Sequence, residues 1–142
     1  MRLAAARAGF EKDLDFRGQL FAAIDDSILA LHRFCEQSAH GMELMGINQE
    51  IARDIEIEWK VQMIEIIANG VDEAIASGNA DGAALASKGL TSTAVARIIM
   101  HAMEGMRDTY FSGVDVEPFV HELIDFVAPA RTMPFECLER HV

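Results

Sequence analysis

The apolar residues of this chain recur every three to four positions, and this helical periodicity constrains the fold more than any other feature. Between Thr91 and Phe111 the apolar side chains fall on one face when successive residues are placed about 100° apart around a helix. This stripe consists of Val95, Ile99, Ala102, Met103, Met106 and Tyr110. Such a face must be buried, either in the chain's own core or against a second copy of the chain.

Other segments also carry helical patterns. Residues 2–13 are rich in Ala and Arg and predict a helix that begins without a capping residue, and residues 15–39 carry a stronger apolar stripe. Residues 47–77 place apolar side chains on two sides, which predicts a central helix with neighbours on both flanks. Residues 78–88 are expected to form a Gly- and Ala-rich link, and residues 116–128 predict an amphipathic last helix.

The predicted fold is therefore all-α, an antiparallel helical bundle of about five to six helices. No run of the sequence alternates apolar and polar residues in the manner of a half-buried strand. With 142 residues the chain is long enough for one self-standing core, which we expect to lie within residues 1–130. Residues 131–142 are expected to form a flexible tail, because Pro129 and Pro134 end the last helix.

The charge balance argues against several partners. The chain carries 12 Lys and Arg against 23 Asp and Glu, a formal charge of −11, and its basic residues are scattered singly. It is therefore not expected to hold nucleic acid by itself, since a phosphate backbone would be repelled. No uncharged run is long and apolar enough to span a membrane. Cys35 and Cys137 lie far apart without a secretory leader, so we expect reduced thiols and a cytoplasmic location.

The sequence carries no motif of catalysis or of cofactor binding, so neither an enzyme nor a cofactor is expected. The pattern nearest to a metal site is His32, Glu36 and His40, spaced by four and four. Its two histidines would lie about 12 Å apart along a helix, too far for one ion, so a solvated polar stripe is favoured. His101 lies on the polar side of its helix, where charge pairing is the expected role.

A stripe on the central helix has two interpretations, a packed core or an apolar ligand pocket between helices. Its candidate lining residues are Phe21, Phe34, Cys35, Trp59 and Met63. The small residues Ala52 and Gly70 lie on the same stripe and are expected to leave space. Glu56 and Gln62 flank the stripe and are candidates for the few polar contacts that such a pocket needs.

The order of these segments resembles the C-terminal regulatory domain of the tetracycline-repressor (TetR) family of transcriptional regulators. The likeness covers Met1 to Ala130, and three stretches carry it. The stretch IIANGVDEAIASGNADG resembles the end of that domain's long central helix. ARIIMHAMEGMRDTYFSG resembles the next helix, and VDVEPFVHELIDFV resembles the last helix. The first residues, MRLAAARAGF, resemble the middle of the helix that joins this domain to a helix-turn-helix DNA-binding unit.

The resemblance implies a function and two partners. The domain would sense a small apolar or aromatic effector and relay its binding to a DNA-binding unit that is absent from this chain, so that DNA would be contacted only through that unit. The last two helices of two copies would form a four-helix interface, making the protein a homodimer. The residues expected at this interface are Val95, Ile99, Met103, Met106, Phe119, Val120, Leu123, Ile124 and Val127.

Two other functions compete with this hypothesis. One is a dimer without DNA-binding heads that acts through protein–protein interaction, either with full-length relatives or with other proteins. The other is a metal-binding helical bundle, which the absence of Glu-x-x-His spacings disfavours.

Overall fold

A computed structural model describes residues 2–30, 33, 37, 40, 43, 53–106 and 117–128, with no side-chain detail for 53–56. All regular secondary structure within these residues is helical, which confirms the all-α prediction. The α-helices are α1 (Arg2–Phe10), α2 (Phe16–Ile24), α3 (Arg53–Ala76), α4 (Gly82–Ser87), α5 (Ser92–Gly105) and α6 (Glu117–Val127). A π-helical segment, Asp25–Leu29, continues α2.

Side-chain caps explain where three of the helices begin. The Asp15 carboxylate accepts a hydrogen bond from the backbone N–H of Gly18 at 2.8 Å, and the Thr91 hydroxyl accepts one from Ala94 at 3.1 Å. Each bond satisfies a donor that the first helical turn leaves unpaired. Asp81 caps α4 in the same way, so the segment expected to be a link is partly helical and that prediction was wrong.

The C-terminal ends of the helices also follow from the sequence. After α3 the chain turns at Gly78, whose φ of 78° is a left-handed conformation that glycine adopts without strain. The helix predicted from Thr91 to Phe111 begins as expected and ends at Gly105. Residues 107–116 lie outside the described residues, as do 129–142, which include the predicted tail.

α3 and α5 pack side by side in opposite directions. Lys60 forms an ion pair with Glu104, and the Ser92 hydroxyl donates a hydrogen bond to Asp72. Because an early residue of α3 meets a late residue of α5 and the reverse holds at the other end, the two helices are antiparallel. These contacts fix the register of the longest helix in the described part of the chain.

α1 packs on both α2 and α3. Gly9 lies against the backbone of Ala22 and Ala23, while the Phe10 ring lies against Gly70. α6 also packs on α2, where Arg17 forms an ion pair with Asp125. The helices thus enclose one core to which every one of α1 to α6 contributes a buried side chain.

The two-sided pattern of α3 is only partly buried. Met63, Ile67 and Val71 are inaccessible to solvent in the core, whereas Ile57 and Val61 are each 52% exposed. Lys60 pairs with Glu104, one residue before α5 ends, so the part of α3 that precedes Lys60, including Ile57, extends past the end of α5. The expectation that both apolar sides of the helix would be covered therefore holds only for its later part.

The close contact between α1 and α2 generates a stability prediction. A Cβ atom added at Gly9 would lie 2.5 Å from the Ala23 nitrogen and 2.6 Å from its Cα, and these backbone atoms cannot move without shifting a helix. We expect Gly9→Ala to lower the free energy of unfolding by about 1 to 3 kcal/mol, as overpacking does. Urea denaturation followed by circular dichroism measures the change.

Gly105 provides the matched control. A Cβ atom at this exposed end of α5 would meet no atom within 4 Å. We expect Gly105→Ala to leave the free energy of unfolding unchanged or to raise it by about 0.5 to 1 kcal/mol, because alanine loses less backbone entropy in a helix. Equal stability of Gly9→Ala and the wild type would contradict the packing of α1 on α2.

Candidate functional site

Trp59 lies on α3 where the beginning of α1 packs against it. The Arg2 guanidinium carbon lies 4.4 Å from the centroid of the Trp59 ring, within the range of a cation–π interaction. The ring is partly buried against the core, and Met63, one turn further along α3, is fully buried. α1 and α3 therefore bring together a cation, an aromatic ring and an apolar core at one place.

The indole nitrogen of Trp59 is the unusual atom of this site. Nε1 is buried, and no atom of the described residues accepts a hydrogen bond from its N–H. An unpaired buried donor costs about 1 to 3 kcal/mol, and native proteins leave few of them without a protein, water or ligand partner. The N–H is thus a buried donor for which the described residues supply no acceptor.

The space expected near Gly70 is filled. A Cβ atom at Gly70 would lie 2.5 Å from Cδ1 and Cε1 of Phe10 and 2.8 Å from its Cζ. The ring from α1 therefore occupies the place left by the missing side chain, and the expectation of open space at this position was wrong. Packing from a helix distant in sequence explains the difference, since the pattern of α3 alone carries no information about Phe10. Ala52 lies outside the described residues.

The structure does not bring all the predicted lining residues to Trp59. Phe21 stacks on His121 of α6, with ring centroids 4.3 Å apart and planes 9° from parallel, so its ring faces a different helix from the Trp59 ring. Phe34 and Cys35 lie outside the described residues, as does the side chain of Glu56. The Gln62 amide contacts Glu58 on its own helix at 3.5 Å. Of the predicted set, Trp59 and Met63 remain together.

The residues predicted for a dimer interface are largely buried in the chain's own core. This holds for Val95, Ile99, Met103, Met106, Val120, Leu123, Ile124 and Val127. In this arrangement they contact the other helices of the same chain and are not available to a second copy. Phe119 is 40% exposed, and Phe126, which was not among the predicted residues, is 71% exposed.

The histidines of the described residues lie in ion-pairing positions at the surface. His101 Nδ1 lies 3.8 Å from Glu104 Oε2, which agrees with the charge pairing expected there, and His40 lies 3.8 Å from Glu43. His32 and Glu36 fall outside the described residues. Within the part of the chain that is described, no group of three or more His, Cys, Asp or Glu side chains could hold a metal ion.

Comparison with protein-family models, with curated proteins and with solved structures finds no match to this chain. None of the helices formed by the described residues is long and apolar enough to cross a membrane.

Sequence reasoning missed Arg2 and Phe10 as neighbours of the central helix. The sequence did signal that Trp59 needs a polar neighbour, because the N–H of a buried tryptophan usually finds a hydrogen-bond partner.

The contact between Phe10 and Gly70 generates a second prediction. We expect Gly70→Ala to lower the free energy of unfolding by about 1 to 3 kcal/mol, because the added methyl group overlaps the Phe10 ring. In a Phe10→Leu background the same substitution should cost less, since the smaller side chain leaves room for the methyl group. Denaturant unfolding of the four proteins in this double-mutant cycle measures the coupling. Equal costs in both backgrounds would show that Phe10 does not fill the space at Gly70.

Proposed function

We propose that this chain is the effector-sensing and dimerisation domain of a TetR-like transcriptional regulator, which binds a small apolar molecule beside Trp59 between α1 and α3. The unpaired indole N–H of Trp59 is the observation that carries the proposal. The all-helical fold and the order of the helices agree with the resemblance but do not test it. The proposed role is binding and signalling in the cytoplasm, without catalysis.

The chemistry at Trp59 favours an apolar ligand with little polarity. The Trp59 ring and the buried Met63 offer carbon surface, as does Leu3, which follows Arg2 in α1 and is half-buried against the core. One N–H offers a single hydrogen bond. Small-molecule sites are usually lined in this way, by apolar side chains with a few placed polar groups. A sugar or a nucleotide would need many more hydrogen-bonding partners at the same place.

The position of the site suggests how binding would be relayed. Arg2, which contacts Trp59, lies in the first turn of α1, the helix that the resemblance connects to the DNA-binding unit. A ligand that contacts the Trp59 ring would change the packing of this turn on α3. Such a ligand shifts the position of α1 only if it binds one arrangement more tightly than the other.

We also propose that a homodimer forms through the exposed aromatic residues of α6. Phe119 and Phe126 lie seven residues apart, two turns of helix, and therefore share one side of α6. They are the large apolar side chains that the core leaves accessible on this helix. This interface differs from the expected one, because Ile124 and Val127 are buried beneath it in the same chain.

The ligand proposal is tested with acetophenone, a small aromatic compound whose one carbonyl oxygen can accept a hydrogen bond from the indole N–H. A ligand that binds only the folded protein stabilises it by about 2.7 kcal/mol at a free concentration about 100 times Kd. We expect acetophenone to raise the melting temperature and to change the emission of Trp59, the one tryptophan in the sequence. Ribose, the polar control, should change neither. Absence of both effects with acetophenone would overturn the proposal.

The dimer proposal is tested by light scattering at micromolar protein concentration. We expect the wild type to be a dimer and the double substitution Phe119→Glu and Phe126→Glu to give a monomer with unchanged helix content, because charged side chains disfavour burial in an interface. Leu14→Glu, at an apolar residue that is 47% exposed on another part of the chain, is the matched control and should remain dimeric. A monomeric wild type would refute the proposal.

Ile124→Asp should unfold the chain and not merely dissociate a dimer, since Ile124 is 2% exposed in the core.

A further inference from the structure

Asn69 and Gly70 adjoin within α3, and their surroundings differ. Asn69 is exposed, whereas Gly70 is buried against the Phe10 ring. Asn69 is also the one asparagine of the sequence that precedes a glycine. Because glycine has no Cβ atom, its backbone nitrogen approaches the preceding side chain with less obstruction than that of any other residue. The pair therefore joins a reactive sequence to a tightly packed position.

In an unfolded chain an asparagine followed by glycine modifies itself. The Gly70 nitrogen attacks Cγ of the Asn69 side chain, forms a C–N bond and expels ammonia, which gives a five-membered succinimide ring. Water then opens the ring at either of its carbonyl groups and leaves aspartate or isoaspartate in place of asparagine. The reaction consumes only the chain and water, so it needs neither an enzyme nor a cofactor.

The native fold blocks this reaction in two ways. α3 runs from Arg53 to Ala76, so the Gly70 N–H belongs to the hydrogen-bond ladder of the helix, whose backbone does not adopt the geometry that ring closure requires. α1 adds a second restraint, because a Cβ atom at Gly70 would lie 2.5 Å from Cδ1 and Cε1 of Phe10. The backbone at Gly70 therefore has no room to leave the helix unless α1 moves away from α3.

We propose that Asn69 is a site of spontaneous deamidation that becomes reactive only when α1 separates from α3 and this part of α3 unwinds. The isoaspartate product carries the main chain through the side-chain CH₂ group, so it lengthens the backbone inside the hydrogen-bond ladder of α3. Because Gly70 lies against Phe10 without spare space, the lengthened chain cannot restore that contact. Opening of the fold thus exposes the chain to an irreversible change that prevents α1 from packing again on α3.

Mass spectrometry of the full chain, incubated at mildly alkaline pH with and without guanidinium chloride, tests the proposal. Conversion of the amide to an acid raises the mass, and fragmentation locates the change. We expect Asn69 to deamidate at least about a hundredfold more slowly in the native protein than in the unfolded chain, since the reaction waits for local opening. In the unfolded chain it should also react faster than Asn79, which precedes alanine. Equal rates in the native and the unfolded protein would overturn the proposal.

Phe10→Leu tests the part that α1 plays. The smaller side chain loosens the contact at Gly70 and keeps an apolar residue there, and circular dichroism shows that the variant is folded. We expect its Asn69 to deamidate at least about fivefold faster than that of the wild type under native conditions. Arg7→Gln, at an exposed residue of the same helix, is the matched control and should leave the rate unchanged. An unchanged rate in folded Phe10→Leu would contradict the restraint by α1.

Two variants separate the altered backbone from the altered charge. Asn69→Gln has a side chain one carbon longer, which does not form the five-membered ring, so the mass change at this position should disappear. Asn69→Asp places the product's charge, with its repulsion from Glu65 and Glu73 one turn away, on an unaltered backbone. We expect both variants to melt close to the wild type, because position 69 is exposed. Chain that is deamidated to isoaspartate and then refolded should melt at a lower temperature than Asn69→Asp, and equal melting temperatures would overturn the effect on packing.

Discussion

The packing of α3 is the constraint on which the rest of the structure depends. From Met63 to Ala74 this helix buries apolar side chains over a broad arc, so that one neighbouring helix cannot cover it. α5 covers one flank in a register fixed by the contacts of Lys60 and Asp72, and α1 covers the other. The close approach of Gly9 to Ala23 joins α1 to α2, on which α6 also packs.

The candidate site follows from this packing. α1 runs beside α3 in the same direction, because Arg2 meets Trp59 and Phe10 meets Gly70. The contact at Gly70 is tight, whereas the contact at Trp59 leaves a buried donor unpaired. The ligand site proposed at the Trp59 end of α1 rests on this difference, because buried donors in native proteins usually have a partner.

The helices and several of their boundaries were predictable because their signals are local. The periodicity of residues 92–105 and the hydroxyl of Thr91 predicted where α5 lies and where it begins. The short helix α4 was missed, because a run rich in glycine and alanine has weak local signals and depends on the cap supplied by Asp81. Long-range packing decides the remaining details.

Contacts between helices that are distant in sequence also decide the candidate site and the interface, and local patterns could not predict these contacts. Trp59 and Met63 were identified from one stripe, but the filling of Gly70 by Phe10 and the position of Phe21 against His121 depend on how separate helices meet. An amphipathic stripe shows that a helix face is buried but does not show which surface covers it. Val95 and Val120 were therefore assigned to an interface with a second copy, whereas in the structure they are buried in the chain's own core.

The central claim is that an apolar ligand binds between α1 and α3 beside Trp59. Hydrogen–deuterium exchange of the full chain, with and without saturating acetophenone, tests it most directly, because amide protection reports which segments a ligand stabilises. We expect added protection in α1 and in the half of α3 that contains Trp59, with smaller changes in α6. Protection confined to α5 and α6, or no added protection anywhere, would contradict a ligand site at Trp59.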